Sequence, residues 1–159
     1  MKEIIKHHIE KNIETAQLLI QDTSDIEKAA KVAIEALRNG NKILIAGNGG
    51  AASNANNFVG DLVGRFRKQR KAMAALALNN NPSVMTAVGN DYGVDYVFSR
   101  QIEAIAKSGD VFFAISTSGN SKNLLEAIKV AKDFVCKVIG LTGKTGLKMV
   151  QECDFLIKI

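Results

Sequence analysis

The chain has 159 residues, of which 47% are hydrophobic, and this length and composition favour one globular domain with a sizeable core. It contains 21 basic and 16 acidic residues, and its net charge of +5 is concentrated in Arg65–Lys71. No apolar run approaches the roughly 20 residues of a membrane-spanning helix, and the charged start Met1–His8 lacks a signal-peptide core. We therefore expect a cytoplasmic protein with no membrane contact.

The hydrophobic pattern predicts two helices at the start of the chain. Isoleucines and leucines recur at helical spacing over residues 1–22. This stripe favours a contact with another subunit, although packing on the chain's own core is equally economical. Ser24 and Glu27 have the spacing of a capping box that begins a second helix, and Asn39–Gly40 ends it.

Apolar strands alternate with helices over the core, residues 23–159. Such an alternation predicts a parallel sheet covered on both faces, and right-handed crossovers make it a three-layer, doubly wound α/β fold within one domain. The predicted strands are residues 42–46, 73–78, 111–115, 137–141 and 155–159. The predicted helices between them are residues 51–66, 83–88, 96–106, 122–133 and 147–152.

The first ligand-binding motif is a glycine-rich turn between a strand and a helix, Gly47-Asn48-Gly49-Gly50. Three glycines in four positions let the backbone bend tightly and bring a ligand close to bare amides. The free N–H groups at the start of the next helix also face this turn, which suits an anion. The glycine spacing is not that of a dinucleotide fingerprint, and no Walker lysine follows. The turn therefore predicts a phosphate site.

A second turn carries four hydroxyls, on Ser116, Thr117, Ser118 and Ser121. These hydroxyls and the neighbouring amides suit a dianionic phosphate. The alternative is a simple helix cap formed by Asn120 or Ser121. Two such turns, each at the carboxyl end of a predicted strand, indicate a phosphorylated small molecule in the crevice of an open α/β sheet.

Other polar residues have both a functional and an ordinary interpretation. Asp91 lies in a polar turn, where it is either a ligand or general acid/base or an ordinary turn residue. Asn57, Asp61 and Arg65 are four apart and share one helix face, which lines a cleft or, as periodicity favours, faces water. The basic run Arg65–Lys71 is either an anion-binding patch or a solvated helix end.

The cysteines and histidines do not indicate a metal site. Cys136 and Cys153 lie in apolar surroundings and are expected to be small buried hydrophobes, neither disulfide-bonded nor metal-bound. His7 and His8 are adjacent on a helix, so their side chains point in different directions.

Six segments carry a resemblance to a known family: Gly47–Gly50, Leu62–Phe66, Ala87–Gly93, Val97–Gln101, Ile115–Ser121 and Ile139–Gly143. Over nearly the whole chain they resemble the sugar isomerase (SIS) domain family, and within it the phosphoheptose isomerases. The resemblance implies a flavodoxin-like sandwich with a five-stranded parallel sheet. It also implies a homo-oligomer, usually a tetramer, with sites at subunit interfaces and the helix over residues 1–22 as an assembly element.

The implied reaction is an aldose–ketose isomerisation. A proton moves between carbons 1 and 2 of sedoheptulose 7-phosphate through an enediol, and the resulting heptose 7-phosphate serves lipopolysaccharide or capsule synthesis. By position, the resemblance assigns the phosphate to Ser116, Thr117, Ser118 and Ser121, with Gly49 and Gly50 also binding substrate. It places Asn48, Arg65 and Asp91 at the sugar end, with Asp61 and Asp91 as the catalytic carboxylates.

The chain departs from the family pattern on the helix after the glycine turn. Ala51 stands where the family has a phosphate-binding serine, Asn57 where it has a histidine, and Asp61 where it has a glutamate base. The resemblance also implies a possible zinc ion, with Asn57 and Asp61 at the family's ligand positions. Because Asn57 is not a normal zinc ligand, a zinc site of the family type is not expected to be intact. The family pattern continues into a further helix, beyond Ile159, with a glutamine and a histidine that complete the site.

Two other functions stay open at this point. A non-catalytic SIS module would bind a sugar phosphate as a sensor or as a partner in protein assembly. Nucleic-acid binding would rest on Arg65–Lys71 alone and would weaken steeply with salt. The Asn90–Gly93 pattern favours the isomerase over the first of these alternatives.

Overall fold

A computed structural model describes the backbone of residues 1–159 and all side chains except that of Leu147. The helices of this description are α1 (Lys2–Gln21), α2 (Ser24–Arg38), α3 (Gly50–Val63), α4 (Pro82–Asp91), α5 (Ser99–Ile105), α6 (Lys122–Asp133) and α7 (Leu147–Glu152). The strands are β1 (Ile43–Gly47), β2 (Ala75–Ala77), β3 (Val111–Ser116), β4 (Lys137–Thr142) and β5 (Phe155–Lys158). A short 3₁₀ turn, Val94–Tyr96, precedes α5.

The strands form one parallel sheet in the order β2-β1-β3-β4-β5. Their side chains alternate between two separate cores, since successive residues of a strand point to opposite faces. Ile43 and Ile45 pack with α2 and α3 on one face, whereas Leu44 and Phe112 pack with α5 and α6 on the other. This arrangement confirms the predicted three-layer fold with a five-stranded parallel sheet.

The strand order creates a crevice between β1 and β3. From β1 the chain crosses over through α3 to the edge strand β2, and it returns to β3 on the opposite side of β1. The helices that follow β1 and β3 consequently cover opposite faces of the sheet. Gly47 pairs with Ile115 at the carboxyl ends of these two strands. This switch point is where open α/β sheets bind ligands.

Helix α1 contributes no buried residue to either core. Its isoleucines are exposed, including Ile4, Ile9, Ile13 and Ile20. The assembly role that the sequence gives to this helix stays a prediction.

The start of α2 differs from the predicted capping box. Thr23 is the N-cap and makes no side-chain bond, and Ser24 is already the first helical residue. The Ser24 N–H donates to Asp22 Oδ1 at 2.9 Å, so an aspartate two residues earlier takes the capping role that we expected of the serine. The other end agrees with the prediction, because Gly40 adopts φ +83° just past the helix.

The region around the edge strand differs most from the predicted elements. Strand β2 is only three residues long, against the predicted 73–78, and it pairs on one side alone, with β1. Asn81 Oδ1 accepts the Val84 N–H at 3.1 Å and caps α4, which continues to Asp91. Asp91 is therefore the last residue of a helix and not part of a turn. The predicted helix 96–106 is split into the 3₁₀ turn and α5.

A buried carboxylate links the amino ends of β1 and β3, at the opposite end of these strands from the crevice. Asp110 is 1% exposed, and it accepts the Lys42 N–H at 3.0 Å, the Lys107 N–H at 2.8 Å and the Lys42 Nζ at 2.5 Å. Burial alone would raise the pKa of Asp110, but these bonds outweigh it and hold the pKa below its ordinary value. Asp110 is thus an ionised structural group.

Candidate active site

The glycine turn is shaped by close packing and by a side-chain clamp. A Cβ atom on Gly47 would lie 2.7 Å from Ala51 Cβ, so only glycine lets the first turn of α3 approach β1 this closely. Gly49 has φ +55°, a conformation that favours glycine. Asn79 Nδ2 donates to the Gly47 carbonyl at 2.7 Å, and Asn79 Oδ1 accepts the Gly47 N–H at 3.3 Å. The end of β1 is therefore fixed from the β2 side.

The serine turn is built by its own hydroxyls. The Gly119 N–H donates to the Ser116 carbonyl at 3.1 Å and lies 3.2 Å from Ser116 Oγ. Ser116 Oγ and Ser121 Oγ are 3.1 Å apart, and Ser118 Oγ accepts the Asn120 N–H at 3.3 Å. Ser116 is buried, whereas Ser118 is exposed and Ser121 is half-buried. These hydrogen bonds within the turn therefore fix the positions of its serine hydroxyls.

The helices behind both turns present free amides to the crevice. Gly49 and Ser121 are the N-caps of α3 and α6; Gly49 has no side chain, and the Ser121 side chain bonds no helix amide. The Ser121 hydroxyl contacts Ser116 instead. A simple capping role for Ser121 is therefore not what the geometry gives. Two helix N-termini with unused N–H groups are suited to an anion.

The two turns enclose one cleft of about 620 Å³. Its lining includes most of the predicted phosphate-end residues and adds Asn54, which the sequence did not single out. The lining residues are Asn48, Gly50, Ala51, Asn54, Ile115, Ser116, Thr117, Ser118 and Ser121. This set contains no lysine or arginine, so attraction for an anion comes from amides, hydroxyls and the positive ends of two helix dipoles.

The side chain of Asn48 is held by a residue that the sequence analysis missed. Asn48 Nδ2 donates to Asn123 Oδ1 at 2.9 Å, and Asn123 Nδ2 donates to Asn48 Oδ1 at 2.9 Å. Asn123 is 7% exposed and lies on the buried face of α6 with Ala127 and Ala131. The available signal in the sequence was that Asn123 is a polar residue on the otherwise apolar face of a predicted helix.

The proposed catalytic residues lie outside this cleft in the single chain. Asp61, Arg65 and Asp91 are all exposed, as is Asn57. Asn57 and Asp61 continue along α3 on the outer face that begins with Asn54. The prediction that Asn57 and Asp61 face water is confirmed. Arg65 is exposed too, but α3 ends at Val63, so Arg65 lies beyond the helix and does not share its face as predicted.

The basic run contains one residue with a defined structural role. Arg70 donates from Nη1 to the Leu62 carbonyl at 2.8 Å and from Nη2 to the Asp61 carbonyl at 2.6 Å. These bonds satisfy carbonyls at the end of α3, which is the helix-end interpretation of the run. Arg65, Arg67 and the neighbouring lysines are exposed.

The described side chains do not offer a zinc site. No group of three or more His, Cys, Asp or Glu among them is placed to hold a metal ion. Asn57 and Asp61, at the family's ligand positions, supply an amide and a single carboxylate, which do not fit a zinc ligand set. Cys136 and Cys153 are free, and burial raises their pKa to about 11 and about 12.

Among the described helices, none has the length and apolarity to span a membrane.

Comparisons with known proteins agree with this geometry. A model of the SIS domain matches residues 8–143. Phosphoheptose isomerase from Helicobacter hepaticus is 49% identical over 154 residues, covering 97% of this chain and 79% of the relative. Phosphoheptose isomerase GmhA from Neisseria gonorrhoeae superposes with a TM-score of 0.92 at 38% identity, covering 99% of this chain and 84% of that one. A phosphoheptose isomerase from Francisella tularensis gives a TM-score of 0.95 at 32% identity with the same coverage.

Proposed function

The chain belongs to the SIS domain family, and we propose that it is a phosphoheptose isomerase that interconverts sedoheptulose 7-phosphate and an aldoheptose 7-phosphate. The observation that carries this proposal is the cleft at the switch point, formed by the serine turn and the glycine turn. It occurs in a chain whose relatives at 49% and 38% identity are phosphoheptose isomerases.

The phosphate end of the substrate is proposed to lie in the cleft. Hydroxyls of Thr117, Ser118 and Ser121 and the free amides of α3 and α6 donate to the phosphate oxygens. Hydrogen bonds to a charged acceptor are stronger than neutral ones, at roughly 1.5–3 kcal/mol each. Several such bonds hold a dianion without a lysine.

Asp61 is proposed as the base that moves the proton. At a rise of about 1.5 Å per residue, Asp61 lies roughly 10.5 Å along α3 from Asn54 at the cleft. The six carbon–carbon bonds of an extended heptose span about 7.5 Å, from bonds of about 1.5 Å, and the phosphate ester adds to this length. A sugar anchored by its phosphate in the cleft therefore has the length to bring carbons 1 and 2 near Asp61.

The proton transfers balance with one base and one acid. In the ketose-to-aldose direction Asp61 takes a proton from carbon 1, and Asp91 gives a proton to the oxygen on carbon 2 as the enediol forms. Asp61 then gives a proton to carbon 2 and Asp91 takes the proton from oxygen 1, which yields the aldehyde and restores both carboxyl groups. Arg65 is proposed to stabilise the negative oxygen of the enediolate.

The test is NMR of sedoheptulose 7-phosphate with the protein in deuterated water. We expect an aldose 7-phosphate that carries deuterium at carbon 2, because the abstracted proton exchanges with solvent. Asp61→Asn should reduce the rate by about 10²- to 10⁴-fold, the usual contribution of a general base. Asp133→Asn is the matched control, an exposed aspartate on α6, and it should leave the rate unchanged. Substrate that binds but stays unchanged would indicate a non-catalytic sugar-phosphate module.

The cellular setting is part of the proposal. We expect a cytoplasmic enzyme whose product enters heptose synthesis for lipopolysaccharide or capsule. We also expect a homotetramer in which the exposed isoleucines of α1 are covered by other subunits. Light scattering coupled to size-exclusion chromatography measures the subunit number, and Ile9→Glu and Ile13→Glu should lower it.

A further inference from the structure

The paired side chains of Asn48 and Asn123 join the two turns of the cleft across the sheet. Each amide donates once and accepts once, with both N···O distances at 2.9 Å. Asn48 belongs to the turn before α3, and Asn123 is in the first turn of α6. Because α3 and α6 cover opposite faces of the sheet, this pair is a direct link between the two helix N-termini.

The pair also changes what Asn48 offers to a ligand. Its carbonyl oxygen and its amide nitrogen both bond Asn123, so the orientation of the side chain is fixed, with one N–H and one lone pair left for other partners. On the other flank, the Asn79 side chain bonds the Gly47 backbone at 2.7 and 3.3 Å. The glycine turn is thus held by one asparagine on each side.

We propose that Asn123 is a positioning residue that sets the phosphate grip of the cleft by holding Asn48. The anion must be bound from both turns at once, and small errors in the relative placement of donors weaken each hydrogen bond. The Asn123 side chain fixes this placement through the paired amide and does not itself contact the substrate. This inference rests on the proposed function, since it assigns the cleft to the phosphate of the substrate.

Asn48 gives the proposal a test that does not depend on core packing. Asn123 is 7% exposed, so a substitution there also changes the interior of α6. Asn123→Leu fills the buried position with an apolar side chain of similar size, and the exposed Asn48 amide that it leaves can bond water. Asn48→Ala removes the same pair without changing the interior of α6, although the buried Asn123 amide then lacks this partner, which should lower stability by about 1–3 kcal/mol. The two variants therefore disturb folding differently but remove the same link.

The experiment measures the Kd for inorganic phosphate by ³¹P NMR for wild type, Asn48→Ala, Asn123→Leu and the double variant. Loss of the two neutral hydrogen bonds should weaken phosphate binding about tenfold in each single variant. The double variant should bind phosphate as tightly as the single variant with the lower affinity, because both substitutions remove the same link. Sedoheptulose 7-phosphate should show a similar rise in KM with kcat nearly unchanged, since the phosphate lies away from carbons 1 and 2.

Asn81→Ala is the control for a purely structural asparagine. It removes the cap of α4 and should lower stability without changing the phosphate Kd. Equal phosphate affinity in wild type and Asn48→Ala, additive losses in the double variant, or no phosphate binding by wild type would each overturn the inference. Phosphate binding does not require turnover, so a wild-type protein that binds phosphate but does not isomerise the sugar would refute the proposed function alone.

Discussion

Val135 is a position where a single substitution should stabilise the protein. It follows α6 with φ +58°, in the left-handed region that glycine usually occupies at a helix end. The Val135 N–H bonds the Lys132 carbonyl and the Cys136 N–H bonds the Ala131 carbonyl, both at 2.9 Å. This is the Schellman arrangement, with a β-branched residue at its left-handed position.

The expected gain follows from the cost of that conformation. A left-handed residue with a Cβ atom costs roughly 1–2 kcal/mol, whereas glycine adopts it freely. Val135 is 67% exposed, so its removal loses little buried surface. Against this gain, glycine raises the conformational entropy of the unfolded chain, which lowers the free energy of unfolding by about 0.5–1 kcal/mol. Val135→Gly should therefore raise the free energy of unfolding by about 0.5–1 kcal/mol, and Tm by about 2–4 °C per kcal/mol.

The assay is denaturant unfolding at one fixed protein concentration, since any self-association would contribute to the apparent stability. Val94→Gly is the matched control, because Val94 is also 67% exposed but is not in the left-handed region. It should lower stability by about 0.5–1 kcal/mol. If Val135→Gly is as destabilising as Val94→Gly, the reasoning from the left-handed backbone is refuted.

Three further predictions concern the interior. Asp110→Asn should lower the free energy of unfolding by about 3 kcal/mol near pH 7. Because the pKa of Asp110 is lowered in the folded state, its stabilising contribution is lost as the pH falls below about 4. The difference in unfolding free energy between wild type and variant, measured in urea, should therefore narrow at low pH. Gly47→Ala should destabilise by about 1–3 kcal/mol through overpacking, and Gly60→Ala, with open space at its Cβ, should stabilise by up to about 1 kcal/mol, as thermal unfolding would measure. Burial raises the pKa of Cys136 to about 11 and of Cys153 to about 12, so a thiol reagent at pH 8 should label both slowly until the protein is denatured.

Several details could not be read from local patterns. The length of β2 depends on which strand is brought alongside it, and a short window does not encode this. The Asp22 bond to the Ser24 N–H spans only two residues, but Ser24 and Glu27 offered a competing local pattern for the same helix start. Asp91 was expected in a turn because its neighbours are glycines and asparagines. The cap from Asn81 fixes the start of a helix that continues to Asp91.

The candidate site separates in the same way. Ser116–Ser121 and Gly47–Gly50 were recognisable because glycines and hydroxyls at strand ends have few other uses. Asn79 and Asn123 were missed because their partners are 32 and 75 residues away in the chain. The importance of such residues depends on distant backbone and side chains, so it becomes visible only when the sheet is assembled.

The sequence by itself determined the class of fold and the chemistry of the phosphate end. Apolar strands that alternate with amphipathic helices bury their side chains best in a parallel sheet with helices on both faces. Tertiary structure decided which strands became neighbours and therefore which turns share a crevice. The crevice exists because β3 pairs with β1 on the side opposite β2, and that choice also brings Asn48 and Asn123 within hydrogen-bonding distance.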